Sequence, residues 1–357
     1  MTDLKFDFDD VLIQPSTTSK IRSRKDINIY TDLNVLPLMS APMDRVYFGH
    51  MTAHNLLKNK IFPTIPRNNI NIDRKIDGMR ASSIFHSISL EELKQINNMP
   101  IVLKKTLGDP SSYLYMKRRI LVDMANGHME ELIDNVERFK KEFPEVDLMV
   151  GNIANPKTYK ILSNAGADYI RISIGSGSAC LTSQQTAIGY PMASLINECY
   201  KESLDINSPA KIVADGGFKK YSDIIKALSL GADYVMIGSI LNKAHDIHGS
   251  CKWGIFKIKD HHIIETLFDL GFNLKREYRG MSTKEVQKDW GNRHLKTSEG
   301  VVTYNKIEYS LKGWTENFKH YLRSAMSYAN CVDIKDFNPY NVNHIRITEN
   351  AHKRFKK

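Results

Sequence analysis

Short apolar runs alternate with stretches of helical period along most of the chain, beginning near Leu36. The apolar runs are Leu36–Ala41, Ile61–Ile65, Ser82–Ser87, Ile101–Leu103, Arg119–Met124, Asp147–Val150, Asp168–Ile174, Lys211–Ala214 and Asp233–Ile237. They are rich in Ile, Val and Met without strict alternation, as expected of parallel strands covered on both faces. Between them the spacing predicts helices over Gly49–Lys58, Leu90–Ile96, Met129–Glu142, Pro156–Asn164, Gly189–Glu202 and Tyr221–Leu230, and a short segment after Gly238. Pro156 suits a first helical turn. Eight strands result, or nine if both 82–87 and 101–103 count. Repeated strand–helix units of that number predict an α/β fold, a (β/α)8 TIM barrel. No GxGxxG follows an early strand, which speaks against a dinucleotide-binding doubly wound sheet.

Beyond residue 245 the pattern breaks down. Trp253–Ile258 and His262–Leu267 predict a hairpin, and a helix over Thr315–Ala329 is expected to close the barrel. The stretch between, about 281–305, is polar and contains glycine, so it reads as a mobile flap of the kind that tends to be functional. The whole chain, 1–357, reads as one catalytic barrel domain with a basic C-terminal tail from about residue 340.

Composition narrows the classes. Apolar residues make up 42% and charged ones 25%, an ordinary globular balance. No apolar run reaches ~18 residues, so no membrane-spanning helix is expected, and the acidic start Met1–Asp7 is unlike a signal peptide. The four cysteines, Cys180, Cys199, Cys251 and Cys331, are far apart and form no CxxC, which argues against zinc and disulfides and for a reducing cytoplasm. The net charge of +10 is spread along the chain with no basic stripe interleaved with aromatics. That excludes nucleic acid as the expected partner and fits small polyanions such as nucleotides.

Barrel chemistry gathers where strands end. The stretch Ile174-Gly175-Ser176-Gly177-Ser178-Ala179-Cys180-Leu181-Thr182 leaves a strand through a glycine-rich turn and holds a thiol near main-chain donors, a setting for a nucleophile. Asp215-Gly216-Gly217 and Gly238-Ser239 follow the last two strands. Glycines there let N–H groups approach a phosphate, with Asp215 in reach of a ribose. Asp123-Met124-Ala125-Asn126-Gly127, Gly151-Asn152 and Ala41-Pro42-Met43-Asp44 fall on the same face.

Together these motifs, with Tyr278-Arg279-Gly280-Met281-Ser282, resemble the IMP dehydrogenase / GMP reductase family over nearly the whole chain. The resemblance implies a cysteine that bonds covalently to C2 of a purine nucleotide, with hydride passing to or from a nicotinamide cofactor. Four features are similar to the reductases. Only about 50 residues separate Ile65 from Arg119, too few for the regulatory (CBS-type) insertion of most dehydrogenases. Asp123-Met124-Ala125-Asn126-Gly127 matches the reductase pattern, as does Gly189-Tyr190-Pro191. The flap is short, and Lys296-Thr297-Ser298-Glu299-Gly300 resembles the reductase Arg-Ala-Ser-Glu-Gly.

The resemblance then implies NADPH-dependent conversion of GMP to IMP and ammonia. Cys180 would be the nucleophile, and Thr182 and Glu299 the proton relay. The nucleotide would lie on Ser178, Asp215, Gly216, Gly217, Gly238 and Ser239, its purine edge on Gly280, Met281, Ser282, Lys296 and Gly300. The cofactor would meet Ser23, Arg24, Arg67, Asp123, Met124, Ala125, Ile174 and Gly175. A potassium ion would be held by carbonyls of Gly175, Gly177 and Cys180, and the assembly would be a homotetramer. Lys296 stands where reductases have Arg, and Ser183 where an Arg helps enclose the cation. Two alternatives stay open: an IMP dehydrogenase lacking the insertion, for which Arg293-His294 is the cue, and a reductase acting on dGMP or a modified purine. A non-catalytic nucleotide-binding protein is the remaining class.

Overall fold

The computed structural model describes residues 4–67, 84–99, 119–284, 286 and 300–355. The predicted strand 101–103 and the start of the run 82–87 lie outside them. A short strand β1 (Val11–Ile13) precedes the main sheet. That sheet comprises eight parallel strands: β2 (Leu38–Ser40), β3 (Thr64–Ile65), β4 (Phe85–Ile88), β5 (Arg119–Asp123), β6 (Asp147–Ile153), β7 (Tyr169–Ile172), β8 (Lys211–Asp215) and β9 (Tyr234–Ile237). They run in chain order except that β2 pairs with β9. Closure comes from main-chain bonds. Phe62 N–H donates to Leu38 O at 2.9 Å, and Ser40 N–H donates to Phe62 O at 2.9 Å. The fold is a TIM barrel, as the strand count predicts.

Inside the ring, Phe62, Phe85, Tyr169 and Tyr234 form a chain of ring contacts with centroids 5.1 to 6.0 Å apart. This fills the barrel with side chains and makes it a packed core rather than a pore. A second core lies between the strands and the helices, where residues such as Leu132, Val136, Ile170, Ile196 and Leu228 are almost wholly buried. Each such side chain contributes about 1.5–3 kcal/mol. The helices start where the sequence offers caps: Ser89 and Glu92 form a capping box for Leu90–Asn97, and Asn155 with Pro156 opens Pro156–Asn164.

Two expectations are corrected. The region 262–267 is not a strand. Asp260 accepts from the N–H groups of His262 and Ile263 and caps a helix, His261–Asp269, with Ile264 buried. Its apolar positions, Ile263, Ile264, Leu267 and Phe268, follow a helical rather than an alternating period. The hairpin is instead β10 (Cys251–Trp253) with β11 (Phe256–Ile258), extended by β12 (Lys275–Arg279) and β13 (Val302–Lys306) into a four-stranded antiparallel sheet. Nor does a helix close the barrel. The helix Leu311–Tyr328 packs outside the ring beside Tyr221–Ser229. The C-terminal segment carries β14 (His344–Arg346), which pairs antiparallel with β1, and the helix Glu349–Phe355. Among the described residues no helix is long and apolar enough to cross a membrane.

Candidate active site

The C-terminal ends of the barrel strands surround a cavity of about 360 Å³. Its wall includes Ile174, Gly175, Gly177, Cys180 and Thr182 from the loop after β7. Asp215, Gly216 and Gly238 come from the ends of β8 and β9. Arg67, Asp123, Met124 and Ala125 also line it, as do Gly280, Met281 and Ser282 from the stretch after β12.

Cys180 is half-buried, and its thiol donates to Thr182 Oγ1 at 3.2 Å. The other three cysteines are buried and free. Burial pushes the Cys331 thiol up to about 11 and raises Cys199 and Cys251 as well. Only Cys180 combines access with a polar neighbour, the setting in which a thiol reacts. Thr182 is the first residue of the helix Thr182–Thr186, not its cap, so its hydroxyl is turned to the sulfur. The cysteine turn is closed by Cys180 N–H donating to Gly177 O at 2.9 Å.

The Asp-Gly-Gly turn seats this loop. Gly216 and Gly217 both have φ above +80°, and a Cβ at either would lie 3.1–3.4 Å from the backbone or side chain of Ser176 or Gly177. Glycine is required there by backbone conformation and by close approach together. Beside it, the Tyr278 hydroxyl reaches Ser178 and the main chain of Ser239, and a Cβ on Gly238 would meet that hydroxyl at 2.7 Å. Burial pushes the Tyr278 phenol well up, so it stays a neutral donor and acceptor. Ser178, Gly217 and Ser239 thus adjoin the cavity without lining it.

Beneath the opening lies a buried charge cluster. Arg171 Nη1 donates to Asp123 Oδ1 at 2.7 Å, and Arg171 Nη2 to Asp215 Oδ2 at 3.1 Å. Asn152 adds a bond to Asp215 Oδ2 at 3.0 Å, and Arg67 Nε lies 3.4 Å from Asp123 Oδ2. A break in the β6–β7 register between Gly151 and Ile153 accompanies the turn of Asn152 toward Asp215. Neither Arg171 nor Tyr278 was singled out as a site residue from sequence. Arg171 carried a signal: a charge inside the apolar run Tyr169–Ile174 has to be paired. Asp44 is held by Arg279 and by Arg45 at 3.2 Å, tying the loop after β2 to the end of β12.

Ser23 and Arg24 are not brought to this cavity. They open a short 3-10 turn, Arg24–Asp26, that packs on the helix Leu311–Tyr328. Ser183 donates to Ile188 O at 2.7 Å and lies over Gly175. Lys296 and Glu299 lie outside the described residues. Their neighbour Gly300 pairs with Cys180 in an isolated antiparallel bridge.

Comparison with known proteins places the chain in a family. A family model described as "IMP dehydrogenase / GMP reductase domain" matches residues 116–355. A GMP reductase of Onchocerca volvulus is 27% identical over 98% of this chain and 93% of its own. GMP reductase 2 of Bos taurus is 32% identical over 67% of this chain and 69% of its own. An inosine-5'-monophosphate dehydrogenase of Chlorobaculum parvum is 42% identical, but over only 34% of this chain and 24% of its own. With a family model matched over most of the chain and relatives of the family aligned along nearly all of it, the chain belongs to the IMP dehydrogenase / GMP reductase family.

Proposed function

We propose that this protein is a GMP reductase, using NADPH to convert GMP to IMP and ammonia. The observation that carries the choice is coverage: relatives named GMP reductase align along nearly the whole chain, while the dehydrogenase relative aligns along a third of it.

In this reading the phosphate sits against Ser178, Gly217, Gly238, Ser239 and the Tyr278 hydroxyl, and Asp215 receives the ribose hydroxyls. Gly216 lies between the two groups, and the purine edge meets Gly280, Met281, Ser282, Lys296 and Gly300. The Cys180 sulfur, as thiolate, adds to C2. The amine at C2 takes a proton through Thr182 and Glu299 and leaves as ammonia, which leaves a thioimidate on the sulfur. When bound, NADPH supplies the hydride to C2, and the carbon–sulfur bond then breaks to return the thiolate and release IMP. The cavity continues from Cys180 to Arg67, Met124 and Ala125, which is room for a planar ring beside that carbon. Those residues, with Asp123, Ile174 and Gly175, would hold it.

A potassium ion on the carbonyls of Gly175, Gly177 and Cys180 belongs to the same proposal. Main-chain carbonyls without a carboxylate suit a monovalent cation. A homotetrameric assembly and a cytoplasmic location are part of the same proposal. The test is an assay of purified protein with GMP, dGMP and IMP against NADPH, NADH, NADP and NAD. GMP should consume NADPH and release ammonia in equal amounts, and Cys180→Ala should abolish both. Formation of XMP from IMP and NAD would instead assign a dehydrogenase, in which Arg293→Ala should accumulate the covalent adduct.

A further inference from the structure

We propose that Arg171 is a positioning residue that serves both halves of the site, holding Asp215 toward the nucleotide and Asp123 toward the cofactor. The inference rests on the reductase reading for what the two carboxylates bind. Its structural ground is independent of that reading. Arg171 is 7% exposed and projects into the barrel from β7, between the strands that end in Asp123 and Asp215. One guanidinium spans both carboxylates, with Nη1 on Asp123, and Nη2 and Nε (3.3 Å) on Asp215. Its planar fork matches that task, and an ammonium does not. Among the described residues Asp215 spends Oδ2 on Arg171 and Asn152, which leaves Oδ1 for a ligand hydroxyl.

Gly151 is shaped for the same purpose. A Cβ there would lie 2.4 Å from the Arg171 carbonyl and 2.6 Å from its Cβ, so the neighbouring strand gives Arg171 its place. Burial alone would lower the guanidinium, and the adjacent Asp215 and Asp123 more than reverse it, so Arg171 stays charged. The other charged or titratable groups facing the two carboxylates are Arg67, Tyr278 and Cys180. With Arg171 neutralised, the cation left to them among the described residues is Arg67, and it reaches Asp123.

KM for GMP and for NADPH is measured for the wild type, R171Q, R171K and D123N, beside a thermal melt. One guanidinium holds both carboxylates, so R171Q should raise the two KM values together by about tenfold or more, while D123N, which leaves Asp215 on Arg171, should raise the KM for NADPH and spare that for GMP. R171K keeps the charge but loses the fork, so it should raise both KM values as well. An effect of R171Q or R171K on one ligand alone, or a rise in the KM for GMP in D123N as large as in R171Q, overturns the proposal. Should R171Q not fold, R171K decides it. Failure of the wild type to bind GMP would sink the reductase reading instead.

Discussion

Cys180 and Gly300 face each other across an isolated antiparallel bridge, and Val301 N–H donates to Ala179 O at 3.1 Å. The cysteine loop and the chain leading from Glu299 are therefore one structural unit. A Cβ at Gly300 would lie 2.9 Å from Thr283 Cγ2 and 3.2 Å from Ser282 Oγ. Gly300→Ala should force residue 300 away from Ser282 and Thr283, disturb its bridge to Cys180 and lower kcat/KM at least tenfold, while the melting temperature moves by only a few degrees. Steady-state kinetics beside a thermal melt would check it, and an unchanged kcat/KM would refute the coupling.

Gly151 makes a steric prediction. Its φ of +145° and the 2.4 Å approach to the Arg171 carbonyl leave no room for a methyl group. Gly151→Ala should cost about 3 kcal/mol, combining overpacking with an unfavourable backbone. Urea denaturation reads this directly, and a loss below about 1 kcal/mol would mean that the strands yield.

The N-terminal arm holds the helix that follows the cysteine loop. Asp7 Oδ1 accepts from Ala193 N–H at 3.4 Å and Phe8 N–H at 2.8 Å, and Ser194 Oγ bonds both main-chain groups of Phe6. These contacts act where the helix Met192–Ser203 has no side-chain cap of its own. Asp7→Ala should lower stability by about 1 kcal/mol, the usual value of an N-terminal cap. Asp7→Asn, which keeps an acceptor, should recover most of it.

Acid should destabilise the fold through histidines held neutral. His128 accepts from Ala154 N–H at Nε2 (3.0 Å), which puts its proton on Nδ1, toward Thr158 Oγ1 at 2.9 Å. Burial lowers its pKa below the ordinary 6.5, and burial likewise lowers His344, His248 and His261. A folded-state pKa below the unfolded one means that the unfolded chain takes up protons first as pH falls. This share of stability should be whole above about pH 6.5 and be lost as pH drops below it. Denaturation midpoints between pH 5 and pH 8 test the slope, and His128→Asn should flatten it.

Much of the barrel was legible because parallel strands buried on both faces leave uninterrupted apolar runs. Glycine turns at the ends of β7, β8 and β9 likewise announced the loops that meet at Cys180. The 262–267 segment misled because four apolar residues in so short a run suit either period, and only the Asp260 cap decides between them. Arg171 shows its need for a partner in the sequence but not which one, because Asp123 lies two strands earlier, at the end of β5, and Asp215 at the end of the next strand, β8. Tyr278 stood inside a quoted motif, but its hydroxyl meets Ser178 and Ser239 only after the antiparallel sheet folds over the barrel.

Closure at β2 has a consequence for synthesis on the ribosome. β2 is made first among the ring strands, yet its full ladder is to β9, residues 38–40 against 235–237. Its link to β3 is slight, helped by Thr64 N–H donating to the Ser40 hydroxyl at 2.8 Å. The nascent chain must therefore carry an open, unsealed sheet until β9 emerges, with a bare edge exposed to neighbours meanwhile. Chaperone demand during translation should concentrate in that interval, and truncations ending before residue 234 should aggregate instead of folding.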